Sequence, residues 1–176
     1  MFRFVVPSLG VALALATTAA CRSDDSPATR ESSSGTSGSA PAVAAQGSNE
    51  RGLRIVHAAP GDVAASVLQE LAATKAKHRD LVVYVGATWC EPCQRFHAAA
   101  ERGELDAAFP TLTMLEFDLD QDRERLVAAG YQSQFIPLFA LPGPDGRSTG
   151  KQIEGSVKGS SAVAEISPRL KALIGK

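Results

Sequence analysis

Leu81-Val82-Val83-Tyr84-Val85, followed by Trp89-Cys90-Glu91-Pro92-Cys93, is the stretch that decides how this chain folds. The apolar run reads as a strand covered on both faces, because it lacks the polar alternation of a half-exposed one. The residues after Cys93 fall into helical spacing, so the strand delivers two cysteines to the start of a helix. A helix N-terminus carries about half a positive charge from unpaired N–H groups, which favours a thiolate on the first cysteine. A free thiol of pKa about 8.5 falls to between about 3.5 and about 7.5 in such a setting. Cys93, one helical turn on, can close a disulfide with Cys90. Pro92 suits the first turn, where its missing N–H is not needed. A strand–cysteine–helix unit of this kind is a redox device.

The 176 residues suffice for one globular domain with additions. Lys and Arg number 18 against 19 Asp and Glu, a net charge of −1. No basic stripe with interleaved aromatics points to nucleic acid, and no like-charge block forms an electrostatic tail. Of the three cysteines, Cys21 stands apart, and an odd count in an exported chain needs a reason. Residues 1–20 read as an export signal, with Arg3 as the basic start and a largely apolar core shorter than the ~20 residues that span a bilayer. The small residues Thr17-Thr18-Ala19-Ala20 before Cys21 resemble the lipobox of bacterial lipoprotein signals. That resemblance implies acylation of Cys21 and anchoring to a membrane on the periplasmic side. Thr18 stands where such signals usually carry Leu, so an ordinary secretory cut after Ala20 stays open. Lipidation would use the odd cysteine and leave one redox pair. Residues 21–52, rich in Ser, Ala and Gly, read as a disordered tether with a reach of about 30 Å.

Residues 53–176 hold the expected folded domain. A short strand is expected over 53–57, and a helix capped by Asp62 runs to about His78. The central strand over 81–85 leads into a helix from the cysteines to about Phe109, with a break near Gly103. A strand over 111–119 precedes a short helix opened by Asp120 or Asp122 and ended at Gly130. Leu138-Phe139-Ala140-Leu141 is a fourth strand, and Pro144-Asp145-Gly146-Arg147 turns it back through 151–154. A last helix spans 161–174, with Pro168 expected to kink it or delay its start. This order defines an α/β domain, a mixed central sheet of four to five strands with helices on both faces.

The pattern resembles the thioredoxin fold over residues 53–176. The residues that carry the resemblance are Trp89, the Cys90/Cys93 pair, Ile136-Pro137 before the fourth strand, and Gly155 after the fifth. It implies a thiol–disulfide oxidoreductase in which Cys90 attacks and Cys93 resolves, with no dissociable cofactor. It also implies that Pro137 is cis and lies against the disulfide, and that Trp89, Glu91, Pro92 and Ile136 shape the surface where a client docks. Thioredoxins bury an aspartate where this chain has Tyr84, and carry a lysine near it on the next strand where this chain has Glu116. Glu116 is therefore expected to supply the missing carboxylate to Cys93. An edge-exposed acid without a role is the plainer reading of the same residue.

Glu91 beside Cys90 raises the cost of a thiolate and so favours the oxidised pair, which makes the couple a reductant. Cys-Glu-Pro-Cys also resembles reductases that serve cytochrome c maturation, and the helix after it resembles the periplasmic thioredoxin-like domain of transmembrane thiol reductases. The expected partners are disulfide-containing client proteins and an upstream membrane thiol donor. No dimerisation segment is visible, so a monomer is expected. Two other readings stay open. A copper chaperone could use Cys90, Cys93 and His97, although such chaperones space their cysteines differently and no second Cys-x-x-Cys completes a zinc site. A binding module could keep the disulfide as a structural element only.

Overall fold

A computed structural model describes residues 51–176. The expected export signal, the lipidation site Cys21 and the tether up to residue 50 lie outside the described residues. Gly52, assigned to the tether from sequence, belongs to the domain. Its N–H donates to the Pro110 carbonyl at 2.8 Å, and its own carbonyl accepts from Arg79 Nη2 at 2.6 Å. Arg79 is buried and also donates through Nε to Thr113 Oγ1 at 2.9 Å.

The elements in chain order are β1 (Arg54–His57), α1 (Val63–Ala76), β2 (Asp80–Gly86), α2 (Glu91–Glu101), β3 (Leu112–Asp118), α3 (Leu119–Ala128), β4 (Leu138–Pro142), β5 (Ser148–Glu154) and α4 (Ala162–Leu173). They form one five-stranded sheet in the order β1-β3-β2-β4-β5. β1, β3 and β2 run parallel, and β4 and β5 are antiparallel to their neighbours. The parallel part needs helical crossovers, while the β4–β5 pair closes through a tight turn.

β2 shows how the apolar run works. Alternate side chains point to opposite faces of a strand. Val82 and Tyr84 join a core with Phe96 and Ala99 of α2 and Ile166 and Leu170 of α4. Leu81, Val83 and Val85 join a second core with Val63 and Val67 of α1 and Leu126 of α3. Both faces are thus covered, which is why the run carries no charged residue. β3 lies beside β2 and repeats the division, with Met114 on the α2 side and Leu115 and Phe117 on the other. The same alternation turns Glu116 toward α2.

Two helix boundaries differ from those expected. α2 ends at Glu101 rather than near Phe109, because Gly103 adopts φ +72° and the chain continues in turns. Leu105 and Phe109 remain in the core, which explains why the apolar spacing continued past the helix end. α3 is capped by Asp118, whose carboxylate accepts from the amides of Asp120 at 2.8 Å and Gln121 at 3.1 Å. Asp122 returns the contact by accepting from the Asp118 amide at 2.9 Å. α4 starts on schedule after Ser161 and runs on through Pro168. The turn between β4 and β5 needs its glycine: Gly146 sits at φ +77°, and a Cβ there would fall 2.2 Å from the Ala64 carbonyl oxygen.

Candidate functional site

Cys90 is the N-cap of α2 and has extended backbone angles. Its Sγ accepts from the Cys93 N–H at 3.3 Å, so the first sulfur faces one of the helix's unpaired amides. Pro92 occupies the first turn, as its chemistry favours. Cys90 and Cys93 are joined as a disulfide with Cα atoms 5.2 Å apart. Both are almost fully buried, so each meets its surroundings through a small window.

The two cysteines line different spaces. Cys90 lines a groove of about 530 Å³ with Trp89, Glu91, Pro92, Phe135, Ile136 and Val157. Cys93 lines a separate cavity of about 700 Å³ that reaches Tyr84, His97 and Glu116. The groove is apolar at its rim: Trp89 is 62% exposed, Phe135 65% and Val157 49%. Trp89 is held in place, because its indole N–H donates to Asp120 Oδ2 at 2.7 Å. The loop before β4 is tied down by Glu154, whose carboxylate accepts from the Gln134 amide at 2.9 Å. Arg169 in turn donates to the carbonyls of Glu154 at 2.8 Å and Gly155 at 3.0 Å. The Ile136–Pro137 peptide is cis, and the Pro137 carbonyl accepts from the Gly155 amide at 2.9 Å.

Glu91 has partners that its neighbours in sequence did not reveal. Its carboxylate bonds Arg95 Nε at 2.7 Å and accepts from the Gly159 amide at 3.2 Å. The Arg95 hydrogen bond comes first among the causes that hold its pKa below the ordinary carboxylate value. Glu91 is thus charged beside Cys90, with Arg95 offsetting part of that charge.

On the Cys93 side, β3 pairs Glu116 with His57 of β1 and Tyr84 of β2. Glu116 Oε1 lies 2.6 Å from His97 Nε2, and Oε2 lies 2.9 Å from His57 Nδ1. The second approach lacks hydrogen-bond alignment, so Oε2 is buried without a hydrogen-bond partner. The Glu116 hydrogen bond raises the His97 pKa above the ordinary histidine value, against the opposing effect of burial. The Tyr84 hydroxyl is also buried without a hydrogen-bond partner. Burial first, then the Glu116 charge, pushes its pKa up, so it stays a phenol at neutral pH. Gly86 makes room for it: a Cβ there would lie 2.7 Å from the Tyr84 oxygen.

Of the residues singled out from sequence, Trp89, Cys90, Glu91, Pro92 and Ile136 share the groove, and Pro137 follows Ile136 at the mouth of β4. Glu116 lies away from them, behind Cys93. His97, which the sequence offered as a third ligand beside the two cysteines in a copper chaperone, bonds Glu116. Among the described residues no group of three or more His, Cys, Asp or Glu side chains is disposed to hold a metal ion. Sequence reasoning missed Phe135, Asp120, Arg169 and His57. Phe135 and Asp120 carried a weak signal, one beside Ile136-Pro137 and the other just past a strand. The other two become visible only once the sheet order is known.

The strand order, the flanking helices and the Cys-x-x-Cys at the start of α2 make the fold thioredoxin-like. No family model matches the chain, and no curated protein matches it. Among solved structures, it is similar to a thioredoxin of Trichomonas vaginalis, with 22% identity and a TM-score of 0.45 over 69% of this chain and 96% of that one. It is also similar to thioredoxin O1 of Arabidopsis thaliana in its oxidized state, with 19% identity and a TM-score of 0.40 over 70% of this chain and 96% of that one. A thioredoxin-like fold with a disulfide-linked Cys-x-x-Cys is consistent with thiol–disulfide redox chemistry.

Proposed function

We propose that this chain is an extracytoplasmic thiol–disulfide oxidoreductase that reduces disulfides in client proteins. The observation that carries the proposal is the position of Cys90, at the N-cap of α2 and on the wall of an apolar-rimmed groove. In the reduced state the Cys90 thiolate attacks a client disulfide. A Cys90–client bond forms, and the first client sulfur leaves as a thiolate. Cys93, as thiolate, then attacks Cys90 Sγ, the internal disulfide closes and the second client sulfur leaves. Two electrons pass to the client, and an upstream dithiol donor must return them. Trp89, Glu91, Pro92, Ile136 and Pro137 form the docking surface, and Glu116 serves the deprotonation of Cys93. No dissociable cofactor is required, because the electrons reside on the cysteines. The export signal supports a periplasmic location, with Cys21 as a lipid anchor and residues 22–50 as the leash.

The test is the reduction potential of the Cys90–Cys93 couple, by equilibration of the purified chain against glutathione and dithiothreitol buffers. A value near about −270 mV supports a reductant, and one near about −120 mV makes the protein an oxidant. A value below about −300 mV with slow reduction by dithiols makes the disulfide structural and overturns the proposal.

A further inference from the structure

We infer that His97 takes the proton of the Cys93 thiol during closure of the internal disulfide, and that Glu116 is the positioning residue that orients the His97 imidazole. This rests on the thiol–disulfide reading above and adds a residue to it. A base is needed because Cys93 is 3% exposed, and a buried thiol resists ionisation. The Cys93 amide does not stabilise its own thiolate in place of a base, since it is directed at Cys90 Sγ.

The groups that share the cavity with Cys93 narrow the choice. Tyr84 stands where a carboxylate would be expected, but its hydroxyl holds its proton at neutral pH. Asp118 is occupied as the cap of α3. Asp122 is paired with Arg125 at 2.8 Å. His57 approaches only the far oxygen of Glu116, and its side chain is 83% exposed. His97 remains. It follows Cys93 by one turn of α2, the i,i+4 spacing that sets two side chains side by side.

The hydrogen bond to Glu116 decides the tautomer. A carboxylate can only accept, so His97 Nε2 carries the proton and donates it to Oε1. In the neutral imidazole Nδ1 is then the free base. Nucleophile, base and orienting carboxylate thus follow one another as Cys93, His97 and Glu116. In the step itself the Cys93 S–H bond breaks and its proton passes to His97 Nδ1, directly or through one water molecule. The sulfur keeps the electron pair and uses it to form the Cys90–Cys93 bond, while the Cys90–client bond breaks. The imidazolium, facing Glu116 with Glu101 nearby, is stabilised until it gives the proton to solvent or to the departing client thiolate.

The test is single-turnover reduction of insulin by the reduced chain, followed across the neutral pH range. The wild-type rate of internal closure should rise through an inflection above the ordinary histidine value of about 6.5. His97→Gln should remove the inflection and slow closure by about 100-fold, the lower end for a positioned acid–base group. Glu116→Gln should move the inflection down toward about 6.5 and slow closure less. Closure in His97→Gln within about twofold of wild type, with the inflection kept, overturns the inference. Mixed-disulfide formation by Cys93→Ser, measured in parallel, separates the two levels. If Cys90 still captures insulin, the inference alone fails; if it never does, the reading beneath it fails as well. A titration of the His97 imidazole by NMR needs no variant. Its midpoint should differ between the oxidised and reduced chain, and an identical midpoint overturns the inference.

Discussion

At Gly86 the lack of a side chain is what lets Tyr84 lie in the core tilted 45° against the Phe139 ring, centroids 5.1 Å apart. Gly86→Ala would set a methyl carbon 2.7 Å from the Tyr84 oxygen. Tyr84 is fully buried and cannot swing away, so we expect a loss of about 1–3 kcal/mol in urea unfolding, as for other overpacked cores. Glu116 acts on stability through charge. The His97 pKa is raised in the folded chain by the Glu116 hydrogen bond. A raised value adds stability below the unfolded value of about 6.5, and that stability is lost as pH climbs through the folded value. Denaturation midpoints should therefore fall from mildly acidic to mildly alkaline pH in the wild type, and Glu116→Gln should flatten that fall. The cysteine pair was legible in the sequence because its chemistry is local: two residues, a proline and a helix start. The His97–Glu116 contact was not, because it depends on β3 lying between β1 and β2.

Helix ends were read less well than helix faces, and the three aspartates around α3 show why. Asp118, Asp120 and Asp122 are equally good caps by composition. The choice falls to Asp118 because β3 ends there and presents its carboxylate to the amides of Asp120 and Gln121. Asp118→Ala should cost about 1 kcal/mol, the usual loss on removing a cap, measured by chemical denaturation. Asp120→Ala should change stability by no more than about 0.5 kcal/mol, as for exposed positions. It should, however, release the Trp89 indole and weaken client capture, read as a raised KM for insulin reduction. The end of α2 was overextended for a similar reason. Leu105 and Phe109 stay in register with the core beyond Glu101, so periodicity alone could not mark the stop at Arg102 and Gly103.

For the whole domain, two cores divided by one sheet mean that the fold does not depend on its disulfide. The Cys90–Cys93 bond closes a loop with a sequence separation of 3. The chain entropy such a short loop removes is worth at most about 2 kcal/mol. Reduction should therefore lower the thermal midpoint by a few degrees and leave a cooperative transition, checked by calorimetry with and without dithiothreitol. The order of strands and helices followed from the sequence because each element has its own period and punctuation. The β4–β5 pairing also followed, since Gly146 marks its turn. The anchorage of Gly52 by Arg79 did not, because a lone arginine after a helix gives no sign that it will be drawn into the interior.

The opening of Cys90 and Cys93 on separate spaces has a practical meaning for anyone redesigning this molecule. Under the function proposed above, recognition and acid–base chemistry would have separate addresses, one on each side of a single covalent bond. On that proposal, recutting the groove around Trp89 and Phe135 would change the clients and leave the proton route of the second sulfur as it was. Retuning the chamber behind Cys93 would change acidity and leave the choice of client to the groove.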